Sequence, residues 1–162
     1  ITPAAIQNTY PDTTDGLKKL IEDMLTETQA GDTHRLSEQM GGLKLSNYEV
    51  WFKQVFGEEK GALAVAEYRD LLGQLDPALA ELLEEMVSEG QTEVHVRRFT
   101  ERTDPEAVGG QQELLRLMQE PVALYSVRLV KPGEDLGYHL FSFVYAEGGF
   151  RFIGKMRSLV EP

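Results

Sequence analysis

Over the first ninety positions apolar side chains return every three to four residues, the period of an amphipathic helix. Leu17, Leu20, Ile21, Met24 and Leu25 form one stripe between Asp15 and Ala30, and Gly31 stands where a C-terminal cap belongs. Asp32 is placed to cap a second short helix that carries Leu36 and Met40 and ends at Gly41-Gly42. Ser46, followed three residues later by Glu49, reads as a capping box, and the helix behind it presents Val50, Trp51, Val55 and Phe56 before Gly57. A fourth helix, from about Glu58 to Leu72, turns Leu63, Val65, Leu71 and Leu72 inward. Asp76-Pro77 then starts a fifth, with Leu79, Leu82, Leu83, Met86 and Val87 on its apolar face and Gly90 at its end.

Beyond Gly90 the period falls to two. Thr92 to Arg102 alternates, Val94 and Val96 opposing Glu93, His95 and Arg97, as in a half-buried strand. Thr103 to Gly110 is a loop, and Gln111 to Gln119 a short helix with Leu114, Leu115 and Met118 inward, stopped by Pro121. Three strands follow: Val122 to Lys131, Tyr138 to Ala146 and Phe150 to Arg157, the last two joined by a tight hairpin at Gly148-Gly149. Helices first and short-turned strands afterwards predict an α+β fold, N-terminal helices packed on a mainly antiparallel sheet of about four strands. Residues 1–11 read as a spacer and 12–162 as a single α+β domain.

Two stretches carry a resemblance. "TQAGDTHRLSEQM", at the end of the first helix, and the closing "YHLFSFVYAEGGFRFIGKM" are similar to the opening and the final hairpin of nuclear-transport-factor-2-like proteins, a cystatin-like α+β superfamily. The resemblance covers about half the chain. It implies a cone-like, curved sheet packed on helices around a pocket, a frame that serves isomerases, cyclases and hydrolases as well as plain binding modules. The three consecutive helices between Ser46 and Gly90 depart from that pattern, and no residue here matches the family's catalytic carboxylates or tyrosines.

Charge narrows the partners. The net charge is −11, of which residues 1–90 contribute −10 and residues 91–162 only −1. An acidic field repels phosphate backbones, so nucleic acid is not an expected partner. No cysteine is present, which removes disulfides, thiolate nucleophiles and zinc–thiolate sites. No apolar run approaches the roughly 18 residues of a membrane span. The uncharged, small-residue stretch Ile1 to Pro11 resembles a spacer behind a removed signal peptide, and on that basis export, periplasmic or secreted, is the expectation; a trimmed cytoplasmic protein is the alternative.

Chemistry is thinly signposted. His34, His95 and His139 lack the spacing of a helical metal pair, so no metal and no cofactor is expected. The closing hairpin is the most informative segment. Alternation places His139, Phe141, Phe143 and Tyr145 on one face with Phe152, Gly154 and Met156, and Tyr125 and Trp51 join them as pocket candidates. That face is either a filled aromatic core or a pocket for a small apolar ligand, with His139, Tyr145 and Tyr125 as polar handles. The opposite face collects Arg151, Ile153, Lys155 and Arg157 beside Leu140 and Val144, a mixed surface suited to a homodimer or an acidic partner. The leading expectation is a non-enzymatic ligand-binding or protein-interaction module. The alternative is a small-molecule isomerase, cyclase or hydrolase using His139 or a tyrosine as acid or base.

Overall fold

The computed structural model describes residues 10–101, 103–107 and 110–161. Helices α1 (Thr14–Ala30), α2 (Thr33–Gly42), α3 (Tyr48–Phe56), α4 (Glu58–Leu72) and α5 (Leu75–Ser88) precede strand β1 (Glu93–Phe99). Helix α6 (Gln111–Leu117), strands β2 (Leu124–Val130), β3 (Gly137–Ala146) and β4 (Gly149–Phe152), and the single turn α7 (Arg157–Val160) follow. The strands form a curved, open antiparallel sheet in the order β1-β2-β3-β4, so the expected α+β arrangement of helices before sheet is present. Of the predicted spacer, Ile1 to Thr9 lie outside the described residues. Tyr10 packs on α1, its hydroxyl donating to Asp23 at 2.6 Å. The Pro11 carbonyl lies where a side chain at Gly16 would begin, 1.9 Å from an ideal Cβ, so only glycine fits there.

The helix starts and stops have local causes. The Thr13 side chain accepts from Gly16 N–H and opens α1, and Gly31 closes it at φ 68°, its N–H bonding back into the last turn. Asp32 caps α2 as expected, accepting from Arg35 N–H. The expected Ser46–Glu49 box is not formed. The carboxylate of Glu147, a hundred residues on, accepts instead from Ser46 N–H at 2.9 Å, Asn47 N–H at 2.9 Å and the Ser46 hydroxyl at 2.8 Å. The same Glu147 and Gly148 form the two-residue turn between β3 and β4, both left-handed (φ 56° and 77°), one position earlier than the glycine pair suggested. Left-handed backbone is costly for a glutamate, and its three-bond anchorage on the start of α3 offsets that cost.

Helices cover both sheet faces and bury two separate cores. On one face α1, α2 and α5 pack over Val94, Tyr125, Val127, Leu129, Leu140, Phe143 and Phe150. On the other, α3, α4, α6 and α7 pack over Leu124, Val144, Ile153 and Met156 at the β4 side. All five predicted stripe residues of α1 are buried. Two helices present a different stripe from the expected one. In α3 the buried face is Phe52, Val55 and Phe56, leaving Val50 exposed and Trp51 half-buried; in α4 it is Ala64, Val65 and Tyr68, leaving Leu63 exposed. Stacked i, i+4 rings (Phe52 and Phe56) and Tyr68, whose hydroxyl accepts from the buried Leu45 N–H at 2.8 Å, outcompete the aliphatic positions.

Two irregularities in the sheet decide where its side chains go. Tyr125 pairs with Phe143 and Ser126 with Phe141, so Ser142 is an extra residue, a bulge that reverses the alternation along β3. The last strand ends at Phe152 rather than Arg157. Beyond it Ile153 N–H and Gly154 C=O bond to the Ser142 backbone, and left-handed residues at Gly154 (φ 75°) and Met156 (φ 52°) turn the chain away. Gly154 sits against the tip of Leu71, the close helix approach its lack of a side chain permits.

Candidate functional site

The second face of the sheet is covered only in part. At the β3–β4 side it lies beneath α3 and α4. Toward β1 it carries polar side chains, and antiparallel register assembles them into two rows across three strands. His95, Arg128 and His139 are direct neighbours, and Arg97, Ser126 and Phe141 form the next row. A hollow of about 230 Å³ lies over them, lined by His95, Arg97, Glu106, Ser126, Arg128 and His139.

Arg128 is the centre of this arrangement. Its Nη2 donates to His95 Nδ1 at 3.2 Å, its one hydrogen bond among the described residues, and no carboxylate lies within ion-pair distance of it there. Its Nε is buried without a partner. A guanidinium carries five N–H donors and no acceptor. Because Arg128 can only donate, His95 must present a lone pair at Nδ1, which leaves the hydrogen on Nε2 to be donated to Glu93 at 3.1 Å. Glu93 also accepts from Gly133 N–H at 3.4 Å, which ties the far turn of β2 to the row. Arg97 is paired with Glu106, and this bond holds the loop after β1 at the rim of the hollow. His139 lies 5.2 Å, ring to ring, from Phe141; desolvation first and the Arg128 charge second hold its pKa below the ordinary imidazole value. Behind the bulge, fully buried Gln111 donates to the Ser142 hydroxyl at 3.1 Å, while its Oε1 has no partner.

The six expected pocket residues do not meet. Tyr125, Phe143 and Tyr145 face α1 and α5, where they are part of a filled core: Tyr125 packs edge-on to Phe150 at 5.2 Å and Phe143 against Phe152 at 5.0 Å. The Tyr125 hydroxyl donates to Asp12 at 2.6 Å, and burial together with that carboxylate pushes its pKa upward. His139 and Phe141 lie on the opposite face because the bulge at Ser142 separates them from Phe143. Trp51 is on α3, edge-on to Phe52.

The expected interaction face is likewise dispersed. Leu140 and Val144 fall on opposite sides of the bulge, one in each core, and both are buried. Ile153 is buried under the helices, and Lys155 and Arg157 lie past the end of β4, exposed. Arg151, read from the sequence as a surface cation, is fully buried. Its guanidinium donates to the carbonyls of Ala146 (2.9 Å), Glu147 (2.7 Å) and Gly42, with the Glu147 carboxylate 3.9 Å away. It fastens the closing hairpin to the end of α2.

The residues that converge are ones the sequence did not single out, apart from His139. His95, Arg97, Ser126 and Arg128 stand on strands whose partners are set by tertiary pairing; the polar alternation Glu93, His95, Arg97 along a strand was the one local signal. Among the described residues no group of three or more His, Asp or Glu side chains is placed to hold a metal ion, and no helix is long and apolar enough to cross a membrane. Compared with known proteins, the chain matches no family model, and neither a curated protein nor a solved structure is significantly similar to it.

Proposed function

We propose that this chain is a non-enzymatic binding module whose site is the hollow over His95, Arg128 and His139, and that it takes a small ligand through a carboxylate- or phosphate-like group. The observation that carries this reading is the state of Arg128. A planar fork of donors lines a concavity and meets one imidazole lone pair, with no carboxylate within ion-pair distance among the described residues, the Glu106 of the rim being held by Arg97. Arg recognises planar oxyanions through paired N–H bonds, and a partly desolvated site makes those bonds stronger than they are in water. Ser126 adds a hydroxyl to the lining, and the His139 ring, backed by Phe141, borders the space for the body of the ligand. The ligand chemistry is therefore polar, in place of the apolar ligand expected from the aromatic strand. The order of one strand, a short helix and three further strands behind N-terminal helices also supports the nuclear-transport-factor-2-like reading as a proposal about ancestry.

Isothermal titration with succinate and with inorganic phosphate tests the site. Saturable binding of either one, weakened at least about tenfold by Arg128→Gln, supports it. Absence of saturable heat with both, or equal affinity in Arg128→Gln, would refute it.

A further inference from the structure

The hollow continues around the edge of the sheet. β1 is an edge strand, paired with β2 in unbroken register from Glu93↔Val130 to Phe99↔Leu124. None of its residues takes part in a backbone hydrogen bond outside that ladder, and no side chain bonds to its backbone, among the described residues. It contains no proline and no bulge, two devices that natural edge strands use against further pairing. A second hollow of about 390 Å³ runs along this edge, bounded by Thr14, Asp15 and Lys18 at the start of α1 and by Val94 to Arg97 of the strand. Arg128 borders both hollows, as do His95 and Arg97.

From this we infer that β1 accepts an extended acidic peptide as a fifth strand, with carboxylates at alternate positions of the peptide reaching the His95–Arg97–Arg128 side. The inference rests on reading the hollow as an oxyanion site and names what brings the oxyanion there. Strand addition supplies main-chain hydrogen bonds for affinity, and alternate side chains supply the choice of partner. Side chains two apart on one face of a strand stand about 6.8 Å apart, the same repeat that separates His95 from Arg97, so an acid-x-acid pattern matches their spacing. On the other face the peptide's alternate residues meet half-buried Val96, beside Lys18, and call for apolar side chains, Val94 being already buried in the core.

Charge selects this occupant over a second copy of the chain. The body is acidic, yet Arg98 of β1, Arg128 behind it and Lys18 beside it have no carboxylate within ion-pair distance among the described residues, whereas Arg97 is paired with Glu106. Two β1 strands brought edge to edge duplicate these unpaired cations, whereas acidic side chains relieve them. At physiological ionic strength the screening length is about 8 Å, so the carboxylates of the distant helices are screened, and the cations face Asp15 at the start of α1 and the already paired Glu93 and Glu106.

Fluorescence polarisation on the full chain tests this with a labelled ten-residue peptide alternating Glu and Val. Three further peptides accompany it: one with Lys for Glu, one with alternate backbone amides N-methylated on one edge, and one N-methylated on the other. The expected result is saturable, salt-sensitive binding of the Glu–Val peptide and no binding of the Lys peptide. One of the two N-methylated peptides should lose about tenfold or more. Bound peptide should also slow amide exchange within residues 93–99, and Arg97→Gln should weaken binding several-fold while the circular dichroism spectrum stays unchanged. If succinate binds but both N-methylated peptides bind as well as the parent, strand addition is overturned while the hollow stands. If the parent peptide binds with that backbone sensitivity while neither succinate nor phosphate binds, strand addition stands and the small-ligand reading falls. Concentration-dependent dimerisation that protects residues 93–99 without peptide would overturn the inference, because the edge would then belong to another copy.

Discussion

Replacing Arg151 should destabilise the protein far more than replacing any surface cation. The side chain is completely buried, and its guanidinium serves three backbone carbonyls from two distant parts of the chain, Gly42 at the end of α2 and Ala146 and Glu147 at the β3–β4 turn. Arg151→Met keeps most of the volume and removes every donor. Each buried acceptor left without a partner costs about 1–3 kcal/mol, and the three share one site, so their losses do not simply add. Breaking a buried charged cluster by removing one member costs about 3–5 kcal/mol, which brackets the same figure. The expected loss is therefore about 4 kcal/mol. Arg151→Lys should lose nearly as much, because a single ammonium cannot span three carbonyls set around a planar fork. With a urea m-value of about 2 kcal/mol/M, the midpoint should fall by about 2 M with m unchanged. Urea unfolding followed by circular dichroism and by Trp51 fluorescence, with coincident transitions, measures it. Were both variants within about 0.5 kcal/mol of wild type, as surface substitutions usually are, the account of Arg151 as the fastening between α2 and the hairpin would be wrong.

Other expectations follow from the same contacts. Phe143→Ala, in the core shared with Tyr125 and Phe152, should cost about 3–5 kcal/mol by urea unfolding; a loss below about 1 kcal/mol would mean that the ring is not packed. Tyr68→Phe leaves the buried Leu45 N–H without its acceptor and should cost about 1–3 kcal/mol, while Tyr48→Phe, at an exposed bond to Arg69, should cost little. His139 has a folded pKa below its ordinary 6.5, so the unfolded chain binds more protons as the pH drops. Its contribution to stability is whole above pH 6.5 and is lost as pH falls through the lowered folded value, and His139→Gln should flatten that part of the pH–stability curve. An oxyanion on Arg128 removes one of the two causes of that shift, so its binding should take up protons below pH 6.5; identical binding heats in buffers of different ionisation enthalpy would contradict this.

Much of the architecture was legible locally. The α1 stripe, the Gly31 stop and the Asp32 cap are interactions within a few residues of one another, and a period of 3.6 giving way to a period of 2 after Gly90 marks where helices end and the sheet begins. The β3–β4 hairpin was marked by its glycines to within one residue, since a two-residue turn has few backbone solutions.

Which face a strand residue occupies proved to be a different kind of question. Alternation assigns faces only relative to the neighbouring residue, and one extra residue at Ser142 sent Phe141 and Phe143 to opposite faces of the sheet. The final strand looked eight residues long because Phe150 to Arg157 alternates, but pairing of Ile153 and Gly154 with Ser142, under α4, ended it at Phe152 and drew Arg151 inside. In the same way Glu147 took over the helix cap that Ser46 and Glu49 promised, across a hundred residues of chain. The candidate site is entirely of this second kind. His95, Arg128 and His139 are more than thirty or about ten residues apart along the chain and become adjacent only through strand register. Local periodicity decides the kind of element and its own two sides. Register, bulges and the extent of helical cover are settled by contacts between distant segments, and they decide which polar side chains are left facing the same open space.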